Sequence, residues 1–193
     1  MVRGNDAKKT RFHYWELLSY LQSGAHKGSI FLEPENYLFV LRKIRRVCTE
    51  FSVCMIAFCL MPNHYHFLIR QDGETRAGIL PQSVFNSYSK AYNKRYNHSG
   101  TLFEGPYRVV QADKTSQLIH LCRYIHSNPV KDDLVNDLAD WPYSNYPEFI
   151  GSRAGNLVDR NFILEFFPDP SEYKAFVLEY LISLNPPENY YEG

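Results

Sequence analysis

The spacing of apolar residues along the chain predicts alternating strands and helices. Apolar and aromatic runs with strand character occupy 14–22, 53–60, 64–70 and 107–111. Helical spacing marks helices that open at Pro34, that span 80–96 and 117–128, and that follow over 162–167 and 172–184. The order β-α-β-β-α-β-α with a helical tail is typical of an α+β chain. We therefore predict a ferredoxin-like, RRM-like antiparallel sheet backed by helices, with a C-terminal helical extension.

The chain length indicates how the predicted strands and helices are divided between a domain and an extension. The 193 residues suffice for one sizeable domain with a full core. We assign residues 1–150 to this domain, and residues 1–12 within it are polar and basic enough to form a flexible arm. Residues 151–193 are assigned to an acidic helical extension.

Three local features refine the predicted elements. The segment 53–60 is almost wholly apolar, which is typical of a central strand covered on both faces. The residue before a proline avoids helical geometry, so Asn128-Pro129 is predicted to end the helix over 117–128. The helix that opens at Pro34 is expected to bury a stripe of Tyr37, Leu38, Leu41, Ile44 and Val47.

Composition limits the class of protein and its compartment. No apolar run reaches membrane-spanning length, and the first six residues do not begin a signal peptide. We therefore expect a cytoplasmic protein without membrane contact. The cysteines (Cys48, Cys54, Cys59, Cys122) form no Cys-x-x-Cys pair and have apolar neighbours. Reduced core thiols are expected rather than a structural zinc site.

The net charge of zero hides a strong asymmetry between the two parts of the chain. Residues 1–131 carry 18 Lys and Arg against 9 Asp and Glu, a net charge of +9. Residues 132–193 carry 3 against 12, a net charge of −9. The first part can therefore attract a polyanion, whereas the tail cannot. The alternative is that two solvated surfaces differ in sign without functional meaning.

Two histidines in the strand over 64–70 are the first candidates for chemistry. Side chains in a strand alternate with a period of two, so His64 and His66 share one face, and Tyr65 and Phe67 share the apolar other face. Two imidazoles on one face are close enough to hold one metal ion. A second interpretation stays open, in which these histidines merely line a polar sheet face.

The helix over 117–128 presents a phenol and an amide on one face. Tyr124 and Asn128 are four residues apart, so they lie one turn from each other. They could supply a nucleophile and an oxygen ligand to a metal held by the histidine pair. The alternatives are a core tyrosine with a bonded hydroxyl and an asparagine that caps the helix before proline. For His120 and His126 we keep the plainer interpretation of surface or helix-end histidines.

Four segments, in one order along the chain, resemble the single-tyrosine transposases of the HUH endonuclease class, in the IS200-like transposase family. Cys-Leu-Met-Pro-Asn-His-Tyr-His-Phe-Leu-Ile-Arg at 59–70 resembles the family's His-hydrophobic-His motif, and 100–107 resembles its glycine-bounded strand entry. The segment 123–131 resembles the tyrosine helix, and 141–146 resembles the aromatic segment that follows it. The Tyr-x-x-x-Asn spacing, Asn-Pro-Val-Lys and the helical tail are most similar to the REP-associated tyrosine transposases.

The resemblance implies an enzyme of DNA transposition and recombination that cuts single-stranded DNA next to a hairpin. His64, His66 and Asn128 would hold Mg²⁺ or Mn²⁺, which would polarise the scissile phosphate. The catalytic Tyr124 would attack phosphorus, giving a 5′-phosphotyrosine and a free 3′-OH that can be rejoined without ATP. Tyrosine has an ordinary pKa of about 10, so it needs help to lose its proton, and the sequence identifies no general base.

The partner that the resemblance implies is single-stranded or hairpin DNA, bound by a monomer or a homodimer. Basic side chains of the first 131 residues are the candidates for phosphate and sugar contacts. They are Lys90, Lys94, Arg95, Arg108, Arg123 and Lys131.

Two other functions stay open on the sequence alone. A domesticated protein could bind hairpin DNA without cutting it, although it would not need the retained His64, His66, Tyr124 and Asn128. A zinc hydrolase could use the His-x-His pair, but it would need further carboxylate or histidine ligands at fitting spacings. The sequence offers none.

Overall fold

The computed structural model describes residues 17–112 and 114–184, with Thr115 and Arg160 described by their backbone alone. The strands are β1 (Leu17–Ser23), β2 (Val53–Met61), β3 (His64–Gln71) and β4 (Arg108–Gln111). The helices are α1 (Pro34–Phe51), α2 (Ile79–Tyr96), α3 (Thr115–Lys131), α4 (Tyr146–Phe149), α5 (Arg160–Phe166) and α6 (Pro170–Leu184). The predicted order of elements is confirmed. The predicted arm over 1–12 and the start of the first strand lie outside the described residues.

The four strands form one antiparallel sheet in the order β2-β3-β1-β4. β3 lies between β2 and β1, so that His64 is opposite Met61 on one side and Ser23 on the other. β4 pairs with β1 at the far edge. This strand order is that of a ferredoxin-like sheet, so the predicted α+β fold is confirmed.

The two faces of the sheet carry different layers. α1 and α2 pack on the face to which Tyr65 and Phe67 point. α3 and the elements after it pack on the opposite face, against Leu68. Because side chains alternate along a strand, His64 and His66 lie on the same side as Leu68 and α3. The predicted placement of Tyr65 and Phe67 on one face of β3 and of the two histidines on the other is confirmed. The histidine face is packed as well, because Leu68 is wholly buried there.

β2 is an edge strand, so its predicted central position is wrong, although it is buried on both faces as predicted. The irregular segment after α3 covers its free edge. The N–H of Leu60 donates to the Tyr143 carbonyl at 2.9 Å, and the Asn145 N–H donates to the Phe58 carbonyl at 3.3 Å. An apolar run in a sequence cannot distinguish a neighbouring strand from a loop that supplies the same backbone hydrogen bonds.

α3 continues through Pro129 to Lys131, so its predicted end at Asn128 is wrong. A proline inside a helix removes the N–H that would bond to the carbonyl four residues earlier, here that of Ile125. The side-chain amide of Asn128 replaces this donor, at 3.2 Å from the Ile125 oxygen. The helix therefore continues because a side chain supplies the hydrogen bond that the backbone lacks.

The C-terminal helices share one apolar cluster with α3. Phe162 of α5 and Tyr173 and Val177 of α6 are buried in the cluster that also contains Ile125 and Leu68. The predicted helices over 162–167 and 172–184 are therefore present, and they pack against the helix that carries Tyr124.

Smaller predictions have mixed outcomes. The predicted stripe of α1 fails at Leu38, which is 45% exposed, and Val40 takes the buried position. A turn of 3.6 residues explains this, because it aligns Val40 with Tyr37 and Ile44.

All four cysteines are free thiols, as predicted. None of the described helices is both long and apolar enough to cross a membrane.

Candidate active site

β3 holds two histidines side by side on the α3 side of the sheet. Their ring centroids are 4.9 Å apart and the ring planes are nearly perpendicular. Two imidazoles that bind one ion through nitrogens at about 2.1 Å would have centroids roughly 4.5–5 Å apart, so the observed spacing fits such a pair. His66 is 4% exposed, and His64 is half-buried.

Burial keeps both histidines neutral at neutral pH. Burial, with smaller contributions from His64 and Lys131, lowers the pKa of His66 to about 3. Burial also lowers the pKa of His64, against the opposing effect of Asp132. The Nδ1 atom of His64 lies 2.7 Å from Asn63 Oδ1, an oxygen that can only accept, so Nδ1 carries the hydrogen. The Nε2 lone pair of His64 is therefore available to a ligand.

α3 places Tyr124 against this pair. The Tyr124 and His66 ring centroids are 5.5 Å apart in an edge-to-face arrangement, and Tyr124 is 36% exposed. Burial raises the pKa of Tyr124, and Tyr180 and Asp132 add to the effect. The phenol is therefore protonated at neutral pH. The Lys131 ammonium lies 4.6 Å from the centroid of the Tyr124 ring, within the range of a cation–π contact.

Asn128 is the next residue along the same face of α3. Its Nδ2 donates to the carbonyl oxygens of Tyr124 at 2.7 Å and Ile125 at 3.2 Å. Its Oδ1 takes no part in these bonds and can act as an oxygen ligand. Within 17–112 and 114–184, no hydrogen bond joins Asn128 to either histidine. The structure thus brings Tyr124 to the histidine pair and leaves Asn128 one turn along the helix.

The three predicted ligands would suit a divalent ion with mixed nitrogen and oxygen ligands. Two neutral imidazoles and one amide oxygen fit Mn²⁺, and Mg²⁺ would depend more on water and phosphate oxygens. Among the described residues, no three histidine, cysteine, aspartate or glutamate side chains lie close enough to hold a metal ion. The zinc hydrolase interpretation therefore finds no support in this part of the chain.

The two histidines of α3, His120 and His126, do not belong to the pair on β3. His120 is at the surface as predicted, where it accepts from Arg123 Nη2 at 2.8 Å and its ring contacts Phe176. His126 is wholly buried and bonded through both ring nitrogens. Its predicted position at the surface or at a helix end is therefore wrong.

Three of the six candidate phosphate contacts lie on the histidine side of the sheet. Arg108 is opposite Leu21, which is itself opposite His66, so all three side chains point to the same side. A cavity of about 370 Å³ opens there, with Arg108 and Lys27 among its lining residues. Arg123 and Lys131 are on α3, on this side as well.

The other three candidates are in the opposite layer. Lys90, Lys94 and Arg95 belong to α2, which packs on the Tyr65 face. The Arg95 guanidinium is also ion-paired with Glu33 at 2.6 Å. These three residues cannot touch a phosphate that is bound at the histidine pair.

Two residues beside the histidines were not predicted from the sequence. Asn63, whose side chain bonds to His64, was not among the predicted site residues. Asp132 lies one turn beyond Asn128, and its N–H donates to the Asn128 carbonyl at 2.9 Å. Its charge acts on both His64 and Tyr124. The spacing 124, 128, 132 could have revealed it, but a helix predicted to end at Asn128 excluded the third position.

Comparison with known proteins identifies the family to which this chain is similar. The family described as "Transposase IS200 like" matches residues 30–128, a range that includes the histidine pair, Tyr124 and Asn128. A Haemophilus influenzae protein described as a REP-associated tyrosine transposase is 26% identical over 113 residues, which cover 53% of this chain and 64% of the relative. The chain thus spans less than two thirds of that relative's length.

A solved structure of a REP-associated tyrosine transposase bound to a REP hairpin has the same fold. Its TM-score is 0.59 at 16% identity, and the match covers 82% of this chain and 94% of the other. At this identity the match concerns the fold alone. The family match extends over more than half of the chain, and on that ground this protein belongs to the IS200-like transposase family.

Proposed function

We propose that this chain is a metal-dependent transposase that nicks and rejoins single-stranded DNA next to hairpins through a 5′-phosphotyrosine at Tyr124. The family supplies the general class, because its members are transposases. The observation that carries the mechanism is the contact between the Tyr124 and His66 rings, whose centroids are 5.5 Å apart. A tyrosine nucleophile beside two neutral imidazoles is an arrangement suited to phosphoryl transfer with a divalent ion.

In the proposed reaction one ester of phosphorus replaces another. The Tyr124 oxygen forms a bond to phosphorus as the bond to the 3′ oxygen breaks, and the strand leaves with a 3′-OH. His64, His66 and Asn128 would hold Mg²⁺ or Mn²⁺, and the chemistry supplied by such an ion would be Lewis acidity towards the scissile phosphate. In the second step a 3′-OH attacks the phosphorus of the phosphotyrosine, the bond to the Tyr124 oxygen breaks and the phenol is released. The phosphodiester is thereby restored without ATP.

The phenol of Tyr124 must lose its proton in the first step. Burial opposes this loss, because it raises the pKa of Tyr124. Lys131 favours the loss, because its ammonium lies 4.6 Å from the ring centroid and a nearby cation stabilises a phenolate. We therefore assign Lys131 a role at the nucleophile in addition to any contact with phosphate.

Hairpin DNA is the proposed substrate. The solved structure with the same fold is described as bound to a REP hairpin, and the first 131 residues of this chain carry a net charge of +9, which suits a polyanion. We assign Arg108, Arg123 and Lys131 to the strand that is cut, and Lys90, Lys94 and Arg95 to DNA that reaches the α2 side. The histidines and Tyr124 come from one chain, so a monomer suffices and a homodimer would carry two such sites.

Incubation with labelled single-stranded hairpins and Mg²⁺ or Mn²⁺ tests the proposal. We expect the wild-type protein to give a shortened DNA product and a covalent protein–DNA band on a denaturing gel. Tyr124→Phe should give neither while it still binds the hairpin. Binding without cleavage by the wild-type protein, with both metals, would identify a domesticated hairpin-binding protein instead.

A further inference from the structure

The wholly buried His126 lies at the centre of a chain of hydrogen bonds that joins three elements. Its Nε2 is 2.9 Å from Asn145 Oδ1, and its Nδ1 is 2.7 Å from the Tyr173 hydroxyl. Asn145 is bonded to β2, because its Oδ1 accepts from the Phe58 N–H at 2.6 Å and its Nδ2 donates to the Ile56 carbonyl at 2.9 Å. These hydrogen bonds thus connect β2, the partner of the histidine-bearing β3, through α3 to α6.

The hydrogen bonds around His126 allow one consistent assignment of donors and acceptors. The two backbone groups of β2 fix the orientation of the Asn145 amide, and its Oδ1 can only accept, so His126 Nε2 carries a hydrogen. Burial lowers the pKa of His126 to about 4, so Nδ1 is unprotonated and accepts from the Tyr173 hydroxyl. Among the described residues, no buried side-chain nitrogen or oxygen lacks a partner. Rotation of α3 would break these bonds inside an apolar cluster, where they are hard to replace.

α6 holds α3 through a second contact. The Arg123 guanidinium lies 4.3 Å from the ring centroid of Phe176 and 4.6 Å from that of Tyr180. Arg123 immediately precedes Tyr124, and His126 follows it by two residues. The two contacts therefore flank the proposed nucleophile on its own helix.

We propose that His126, Asn145 and Tyr173 are positioning residues that set the placement of Tyr124 against His66. The expected effect on DNA cleavage rests on the function proposed above, whereas the effect on geometry does not. Displacement of a reacting group by about 1 Å can slow a reaction roughly 100-fold. The C-terminal helix α6 is thereby part of the scaffold that orients the tyrosine.

The decisive variant is Tyr173→Phe, which removes one hydroxyl and keeps the ring. Single-turnover cleavage of a labelled hairpin should slow about tenfold, while the Kd for the hairpin and the circular dichroism spectrum stay unchanged. Tyr146→Phe is the matched control, because Tyr146 is also buried and its ring centroid lies 5.8 Å from that of His126, whose nitrogens are bonded elsewhere. It should cleave at the wild-type rate.

A second pair of variants tests His126 itself. His126→Gln can keep an N–H donor towards Asn145, whereas His126→Leu keeps only the apolar volume. The glutamine variant should therefore retain more of the cleavage rate than the leucine variant when both are measured well below their Tm. Equal rates for the two variants would contradict a role for the hydrogen bond to Asn145.

A readout without DNA separates this inference from the proposed function. The nuclear Overhauser cross-peak between the Tyr124 and His66 ring protons should weaken at least twofold in Tyr173→Phe and persist in Tyr146→Phe. If the wild-type protein forms no covalent adduct, the proposed function fails and this cross-peak alone decides the inference. A Tyr173→Phe variant that keeps the wild-type cleavage rate and the wild-type cross-peak would overturn the inference. Losses of rate and cross-peak in Tyr146→Phe equal to those in Tyr173→Phe would overturn it too. If Tyr173→Phe fails to fold, the cleavage rate and the cross-peak of His126→Gln decide the inference.

Discussion

Asn128 donates its side-chain amide to the carbonyl of Ile125, whose usual donor is missing because residue 129 is a proline. One side chain thereby has two tasks on α3. Its Nδ2 completes the hydrogen bonding of the helix, and its Oδ1 is the proposed oxygen ligand of a metal. The two tasks can be separated by substitution, because only the first depends on Pro129.

Asn128→Ala should lower the free energy of unfolding by about 1–2 kcal/mol, because the carbonyls of Tyr124 and Ile125 lose a donor. Adding Pro129→Ala to this variant should recover part of the loss, since alanine at that position supplies an N–H to the Ile125 carbonyl. Equilibrium urea denaturation of the four proteins in this cycle measures the coupling. A Pro129→Ala effect that is the same with and without Asn128 would show that the two residues act independently.

Metal rescue should distinguish Asn128 from Tyr124. Excess Mn²⁺ should restore part of the cleavage by Asn128→Ala, because both imidazole ligands remain. It should restore nothing in Tyr124→Phe, because the attacking oxygen is gone. Adduct formation with a labelled hairpin over a range of Mn²⁺ concentrations measures both responses. The same response to Mn²⁺ in the two variants would contradict the assignment of Asn128 as a metal ligand.

The range of each interaction decides how much of this site the sequence predicts. The two faces of β3 follow from a period of two within one strand, so residues 64–70 were enough to predict them. The buried state of His126 depends on Asn145 and Tyr173, which are 19 and 47 residues away, and no local pattern contains both. The passage of α3 through Pro129 depends on a side chain that replaces a backbone donor, which rules of helix propensity do not include.

The two faces of β3 should respond differently to substitution. Tyr65 is wholly buried and its hydroxyl donates to Gln22 at 3.0 Å, so Tyr65→Asp buries a charge and should unfold the protein. His64→Ala removes a half-buried ring and should abolish cleavage with little change in Tm. His66→Ala should abolish cleavage too, with a loss of roughly 1–2 kcal/mol in stability because it leaves a void. A folded Tyr65→Asp variant together with an unfolded His64→Ala variant would show that the faces are reversed.

Acid should destabilise the fold through its buried histidines. The pKa values of His66 and His126 are lowered to about 3 and about 4, so the unfolded chain binds more protons than the native protein below a pH of about 6.5. The free energy of unfolding should therefore fall from pH 7 to pH 5, by up to about 2 kcal/mol for each histidine. Urea denaturation in the presence of a chelator measures this. From pH 7 to pH 8 these two groups should contribute nothing, and a gain in stability on acidification to pH 5 would contradict the prediction.

The two sides of the sheet should contribute unequally to the binding of a single strand. Arg108 and Lys94 are both exposed, but Arg108 lies on the histidine side in register with Leu21, whereas Lys94 lies on α2 in the opposite layer. Arg108→Gln should weaken binding of a single strand that spans the cleavage site and reduce the salt dependence of affinity by about one phosphate contact. Lys94→Gln, which removes the same charge, should leave the affinity for that strand unchanged. Fluorescence anisotropy at several salt concentrations measures both variants. Equal losses would mean that total charge rather than position on the sheet governs the binding of the strand to be cut.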